Sequence, residues 1–256
     1  MSRRRFLLAT RSEGKLRELR EIFSEFGLEA VDLAILGIPE TTAEDDLEQF
    51  ETFEENALAK ARHFFELSGG IPTFGDDSGM CVDALGGEPG VYSKRWSGRE
   101  DLERAALDAA NNAKLTTRMR EARAEQGDRF TDAGRYVSVA AFKDATSELT
   151  RRGEIEGRVI ESPRGTGGFG YDPYFEAPEL GGTFAESSIK NTAAGSHRAR
   201  AFRALLTALR EEGRLEELAY TSGRSVARYR ACFGSRRSPV QIRAPRLEVK
   251  QSPTGG

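Results

Sequence analysis

Asp76, Asp77 and Ser78 stand between Gly75 and Gly79, directly after the short apolar run Ile71-Pro72-Thr73-Phe74. An apolar run that stops at glycine and opens onto charge predicts a strand ending at a loop. In α/β proteins ligands gather at that end of a strand. Two carboxylates there suit a divalent ion, because Mg²⁺ takes one or two carboxylates and shares the rest of its shell with phosphate oxygens. Taken alone, the stretch reads equally well as a solvated acidic turn.

Three other stretches carry groups of the right kind. Thr10-Arg11-Ser12-Glu13-Gly14-Lys15 follows an apolar strand and opens a helix. Free N–H groups at a helix start, with a lysine beside them, make a natural phosphate cradle. An ordinary strand–helix connection with an exposed lysine is the plainer reading. Gly165 to Phe175 interleaves glycines with aromatics, and Gly165, Gly167 and Gly170 match G-x-G-x-x-G. A dinucleotide fingerprint must open a helix, whereas Asp172-Pro173 follows here, so an extended loop approaching a flat ligand is expected. Finally Lys190 and Asn191 precede Ser196-His197-Arg198. Ser196 is a suitable N-cap, and it puts two cationic residue types at the wrong end of a helix dipole. An anion or a base edge binding there accounts for the placement; so does chance.

The elements that must position these groups follow from periodicity. Arg5 to Thr10 is a strand, and the next helix buries Leu16, Leu19, Ile22, Phe23 and Phe26 before Gly27 stops it. Val31, Leu33 and Ile35 alternate in a second strand over Glu29 to Leu36, and an acidic loop runs from Glu44 to Glu51. Thr52 and Glu55 form a capping box for a helix reaching Leu67, so Glu55 is at least as much a cap as a catalytic group. His63 in that helix has no partner in the sequence. Arg99 to Glu125 is a long helix with Leu102, Ala105, Ala106, Ala109, Ala113 and Met119 on one thin apolar face. Arg135–Phe142 and Ser147–Ile160 pair as antiparallel strands, which makes the sheet mixed.

The chain has 256 residues, 38% hydrophobic and 31% charged, enough for one large core or two lobes. No apolar run approaches a membrane span. The basic start followed by Phe6-Leu7-Leu8-Ala9 is too short for a signal peptide. Cys81 and Cys232 make neither a disulfide framework nor a metal site, which fits the cytoplasm. From Thr221 onward lie eight of the 38 Lys+Arg but one of the 41 Asp+Glu, so the first 220 residues carry −10 and the rest +7. An acidic body argues against a broad nucleic-acid surface. Residues 220–256 are expected to be a basic, disordered tail, and 1–219 the functional domain.

In this order the motifs have a family likeness. Leu8-Ala9-Thr10 to Lys15, Thr52-Phe53-Glu54-Glu55-Asn56-Ala57, Asp76-Asp77-Ser78-Gly79, Gly86-Gly87 to Tyr92-Ser93, Gly165 to Phe175 and Ser196-His197-Arg198 are together similar to the inosine triphosphate (dITP/XTP) pyrophosphatases, from about Arg5 to Arg210. The resemblance implies that Thr10, Arg11, Ser12, Glu13, Gly14 and Lys15 hold the triphosphate, with Lys15 on its oxygens. It implies Asp77 as proton acceptor and Mg²⁺ ligand, Glu40 as a second metal candidate, and Ser78 against the substrate. Phe169, Gly170, Tyr171 and Asp172 would form the base pocket, with Phe169 stacking and Asp172 at the ring edge. Lys190, His197 and Arg198 would complete it, the last two reading the 6-oxo group. Ser12 departs from the asparagine usual in the family.

The expected architecture is α/β, an elongated mixed sheet flanked by helices, with two lobes around a central nucleotide cleft. The expected reaction is Mg²⁺-dependent hydrolysis of ITP, dITP or XTP to the monophosphate and pyrophosphate. A homodimer is expected from the family and from the thin alanine face. The alternatives are a related pyrophosphatase for other modified nucleotides, and a nucleotide- or nucleic-acid-binding protein without turnover. Of the paired carboxylates, Asp77 is the expected base and Asp76 its support from behind.

Overall fold

A computed structural model describes residues 5–99, 101–187 and 195–215. Lys190 and residues 220–256, both named above, lie outside the described residues. Seven strands form one mixed sheet in the order β2-β1-β3-β4-β5-β6-β7: Glu29–Asp32, Arg5–Leu8, Thr73–Val82, Ala133–Lys143, Glu148–Val159, Phe175–Ala177 and Gly182–Thr183 respectively. The first three run parallel and the remainder antiparallel. The helices are α1 (Glu13–Glu25), α2 (Phe53–Leu67), α3 (Arg104–Gln126) and α4 (His197–Glu211).

The long strands β3, β4 and β5 belong to two cores. At one end α1 and α4 bury Leu19, Ile22, Phe23, Phe202, Leu205 and Leu206 against Phe6, Phe74 and Phe142. At the other end Leu115 and Met119 of α3 meet Met80, Tyr136, Ile155, Phe175 and Phe184. Helix α2 covers the opposite face of the first lobe, laying Phe53, Ala57 and Ala61 on Val137, Val139 and Ala141. Side chains alternate faces along a strand, so even-numbered residues of β3 look toward α1 and α4 and odd-numbered ones toward α2.

Sequence periodicity located most of these elements, and the structure revises several. The strand expected to stop at Gly75 instead runs through the whole Gly75–Gly79 stretch, paired residue for residue with β4. Its glycines mark close approach rather than a break. A Cβ at Gly75 would lie 2.7 Å from the Ala57 carbonyl oxygen of α2, and one at Gly79 would lie 2.2 Å from the Gly90 oxygen. The second strand ends at Asp32, and Ile35 is exposed in the turn beyond it. Thr42–Glu48 is a 3₁₀ turn where a loop was expected. Helix α3 starts at Arg104 and buries Leu107, Asn111, Leu115, Met119 and Ala122, leaving Ala105, Ala106, Ala109 and Ala113 exposed. Leucine and methionine offer more apolar area than alanine, so they set which way the helix turns.

Candidate active site

Strand β1 pairs with β3 only as far as Leu8 and Phe74. It then turns away into Thr10–Ser12 while β3 continues. One edge of β3 is thereby freed at Asp76–Ser78, between the two lobes. A cleft of about 1130 Å³ opens there, lined from both lobes. It exceeds the volume of a typical small-molecule pocket. The freed edge also lets side chains from both faces of β3 reach one cavity.

At one end lies the loop entering α1. Thr10 Oγ1 accepts a bond from the Ser12 N–H, and Ser12 caps α1 by accepting from the Lys15 N–H at 3.5 Å. The usual N-cap chemistry of serine therefore explains this residue without any ligand. Arg11 turns away from the loop: its guanidinium grips Glu44 at 2.8 and 2.6 Å and donates to the carbonyls of Ile38 and Pro39. Glu13 sits in the first turn of α1. A Cβ on Gly14 would meet the Phe169 ring at 2.7 Å, so the glycine lets that ring approach. Lys15 places its ammonium 2.9 Å from Asp76 Oδ2. Burial, reinforced by the charges of Arg198 and Lys60, holds Lys15 below the usual lysine range despite Asp76.

Asp76 and Asp77 do not act as a pair. Asp76 faces α1 and α4, and its Oδ2 takes both Lys15 and Arg198 Nε (3.2 Å). Burial alone would raise its pKa, but Lys15, Arg198 and Lys60 hold the carboxyl well below the ordinary range. Asp77 faces α2. Its Oδ2 accepts from Asn56 Nδ2 at 3.0 Å, and its Oδ1 lies 3.3 Å from Lys60 Nζ. The same ammonium contacts Glu48 Oε1 at 2.6 Å and donates to the Asp76 carbonyl at 2.8 Å. Lys60 thus bridges two carboxylates. Burial, aided by Glu48, raises the Asp77 pKa against the pull of Lys60. Burial opposes ionisation of Glu48 too, but Lys60 and Lys94 bring it down to about 2. Glu40 lies exposed at the rim of the cleft.

Beside the start of α1, α4 begins under Ser196, whose hydroxyl caps it by accepting from the Ala199 N–H at 3.1 Å and donates to Glu18. Glu18 also takes Arg198 Nη1 at 2.6 Å, and Arg198 Nη2 donates to Ser78 Oγ at 3.0 Å. These bonds use three of the five guanidinium N–H groups and fix its plane. His197 is buried and its imidazole lies parallel to Tyr136, centroids 4.9 Å apart. Burial, then Arg198 and Lys15, push its pKa well below 6.5, so the ring is neutral. Its Nδ1 is buried with no hydrogen-bond partner among the described residues.

The glycine–aromatic segment faces this pair. Gly168 needs its positive φ of +72°, and a Cβ there would lie 2.1 Å from Asp172 Oδ2. Asp172 Oδ2 accepts the Phe169 N–H at 2.8 Å and Oδ1 accepts the Tyr136 hydroxyl at 3.1 Å. Phe169 is 36% exposed and leans toward Gly14, with Arg104 over its ring. The Gly170 N–H donates to Asp108 and its carbonyl accepts from Asn112, while the Tyr171 hydroxyl reaches the Ser93 carbonyl.

The structure therefore brings Lys15, Asp77, Ser78, Phe169, Asp172, His197 and Arg198 to one cleft, and turns the Arg11 guanidinium onto Glu44. Sequence reasoning missed Glu18, Glu48, Asn56, Lys60, Lys94 and Tyr136, all of which line or support the cleft. Asn56 fell within the Thr52–Ala57 motif without a role, and Lys60 showed only by its place one helical turn further along the apolar stripe of α2, where polar residues are misplaced unless buried for a purpose.

The Ham1 family model matches residues 6–208. A dITP/XTP pyrophosphatase of Symbiobacterium thermophilum is 45% identical over 217 residues, covering 83% of this chain and 100% of the relative. One from Burkholderia pseudomallei is 42% identical over 82% of this chain and 95% of its own length. Among solved structures, a HAM1 protein from Coxiella burnetii is 30% identical with a TM-score of 0.65, covering 81% of this chain and 99% of that one. The Staphylococcus aureus Ham1 protein gives 27% and 0.63, covering 82% and 100%. A match that runs from the first strand through α4, with every cleft-forming motif inside it, makes the chain a member of the Ham1 family.

Proposed function

We propose that this chain hydrolyses non-standard purine nucleoside triphosphates, dITP, XTP and ITP, to the monophosphate and pyrophosphate. The observation that carries the reading is the line of groups along the freed edge of β3. A lysine-bearing helix start and a pocket walled by His197 and Phe169 adjoin across Asp76, with the Asp77 carboxylate beside them in the same cleft, which supplies a group for the triphosphate, one for the water and one for the base.

The chemistry asked of the protein is mostly positioning and charge. Asp77 takes the proton of the attacking water. Asn56 and Lys60 fix its orientation, and its raised pKa gives it more affinity for that proton than a solvated aspartate has. Lys15 offers its charge to the departing pyrophosphate. A divalent metal fits the donor set, because Asp77 and Glu48 are oxygen donors already converging on one cation, Lys60. Among the described residues no three acidic, histidine or cysteine side chains form a cage, which suits an ion completed by substrate oxygens. Bound there, Mg²⁺ would neutralise phosphate charge and polarise the anhydride. The two guanidinium N–H groups that Arg198 has left over from its bonds among the described residues are donors for a 6-oxo group. An adenine amino group would leave them unpaired.

The test is incubation with dITP, XTP, ITP, GTP and ATP plus Mg²⁺, with pyrophosphate and monophosphate measured. Rapid turnover of dITP and XTP over ATP is expected. Release of orthophosphate instead of pyrophosphate, or no turnover of either favoured substrate, rejects the reading. The exposed alanine row of α3 supports a homodimer, which sedimentation equilibrium checks.

A further inference from the structure

Tyr136 touches both walls of the base pocket at once. Its ring lies 14° from parallel with His197 at 4.9 Å, and its hydroxyl donates to Asp172 Oδ1 at 3.1 Å. The ring cannot drift. Phe175 and Phe184 hold it edge-on, with centroids at 4.7 and 5.0 Å. Those aromatic contacts are available to phenylalanine as well. The hydroxyl is therefore unexplained by packing, and burying one costs free energy unless it is bonded. Its bond goes to Asp172, a carboxyl whose other oxygen is already taken by the Phe169 N–H.

We propose that Tyr136 is a positioning residue for base recognition: its hydroxyl aims the Asp172 carboxyl at the ring edge while its face sets the plane of His197. This rests on the function proposed above and adds a residue to it. With one donor on each oxygen, Asp172 cannot rotate about its terminal torsion without breaking a bond. The hydroxyl also donates to the charged form, which favours ionisation. Burial outweighs the downward pull of the Phe169 N–H, the Tyr136 hydroxyl and Arg198 and leaves the carboxyl raised to about 7. The other groups facing it are Glu18 from α1, which raises it, and neutral His197 from α4. Removing the hydroxyl moves this balance in one direction, toward the protonated acid at higher pH.

The experiment compares wild type, Tyr136→Phe, Asp172→Asn and the double variant. Binding of dIMP without metal is measured by calorimetry from pH 5.5 to 8.5, alongside steady-state hydrolysis of dITP. In Tyr136→Phe the mid-point of the pH-dependent change in dIMP affinity should move upward by half a unit or more. KM for dITP should rise about tenfold with kcat within twofold. In Asp172→Asn the pH step should vanish, and adding Tyr136→Phe should then change dIMP affinity less than twofold. Circular dichroism checks that each variant folds, and Asp172→Asn tests the pH step independently of Tyr136→Phe. An unmoved mid-point in Tyr136→Phe, or the same loss from it in the Asp172→Asn background, overturns the proposal. Failure of wild type to hydrolyse dITP or XTP instead overturns the function on which it rests.

Discussion

Asp76 and Asp77 are consecutive residues whose carboxylates leave β3 on opposite faces, one onto Lys15 and Arg198, the other onto Asn56 and Lys60. A strand makes this unavoidable. What makes it useful is the early end of β1, which exposes the β3 edge so that both faces serve one cleft. Asp76 fastens the lysine at the start of α1 to the arginine at the start of α4, so the two helix starts share one counter-ion.

The two carboxylates should therefore fail in different ways. Asp77→Asn keeps the volume and the neighbours but removes the proposed proton acceptor, and kcat should fall by about 10²–10⁴-fold. Asp76→Asn leaves Lys15 without its counter-charge and Arg198 with only Glu18. Breaking a buried pair from one side costs about 3 kcal/mol or more, so urea unfolding should shift strongly and KM should rise. Equal stability losses in both variants would contradict the division.

Lys60 gives a test of the metal site that needs no turnover. It neutralises Glu48 and Asp77 together. Lys60→Ala should lower Tm by several degrees, because buried Asp77 and half-buried Glu48 lose the ammonium between them. Millimolar Mg²⁺ should then restore more stability to the variant than it adds to wild type, since a ligand of the folded state stabilises it more the tighter it binds, and no ammonium competes in the variant. Differential scanning calorimetry with and without Mg²⁺ reads this directly. Equal shifts in the two proteins would mean that Asp77 and Glu48 do not gather the ion.

The cleft was only partly legible in the sequence. The capped starts of α2 and α4 and the β4–β5 hairpin were plain, because Thr52, Ser196 and the alternation around the Asp144 turn are local signals. The course of β3 was not, since glycine is read as a strand breaker and the reason for Gly75 lies in α2, a tertiary contact. The buried charges were not legible either. Glu18 and Lys60 look like any solvated helix residue until their partners arrive from distant parts of the chain. Alanine misled in the opposite sense: its regular spacing in α3 suggested a packed face, while larger residues decided the packing.

Two glycines, Gly75 under α2 and Gly14 in the cleft, should respond differently to the same added methyl group. At Gly75 the Cβ meets backbone, the Ala57 oxygen at 2.7 Å and the Ala61 nitrogen at 3.1 Å. Helix α2 must shift, carrying Asn56 and Lys60 with it. Gly75→Ala should cost about 1–3 kcal/mol and reduce kcat. At Gly14 the Cβ meets the end of the Phe169 side chain, which can swing away. Gly14→Ala should raise KM for dITP while leaving Tm within a few degrees. Thermal melts and steady-state kinetics on the pair distinguish a backbone clash from a displaced ring.

Asp172 should leave a signature in stability as well as in binding. Burial raises its pKa from 3.8 to about 7 in the folded chain. Between those values the folded protein keeps a proton that the unfolded chain has released. Stability falls wherever the native state binds more protons and pH rises, so this residue's contribution declines from about pH 4 to about pH 7 and is flat above. Glu48, lowered to about 2, works in the opposite sense. Its stabilisation is present above pH 4.5 and is lost as pH falls toward 2, outside the window that Asp172 controls. Asp172→Asn cannot lose a proton and keeps an oxygen for the Tyr136 hydroxyl. Relative to wild type it should gain stability on going from pH 5 to pH 8, by on the order of 1–4 kcal/mol at about 1.4 kcal/mol per pKa unit. Denaturant unfolding of both proteins across that range measures the difference. A difference that stays constant with pH would show that Asp172 is ionised throughout and that the Tyr136 hydroxyl outweighs burial.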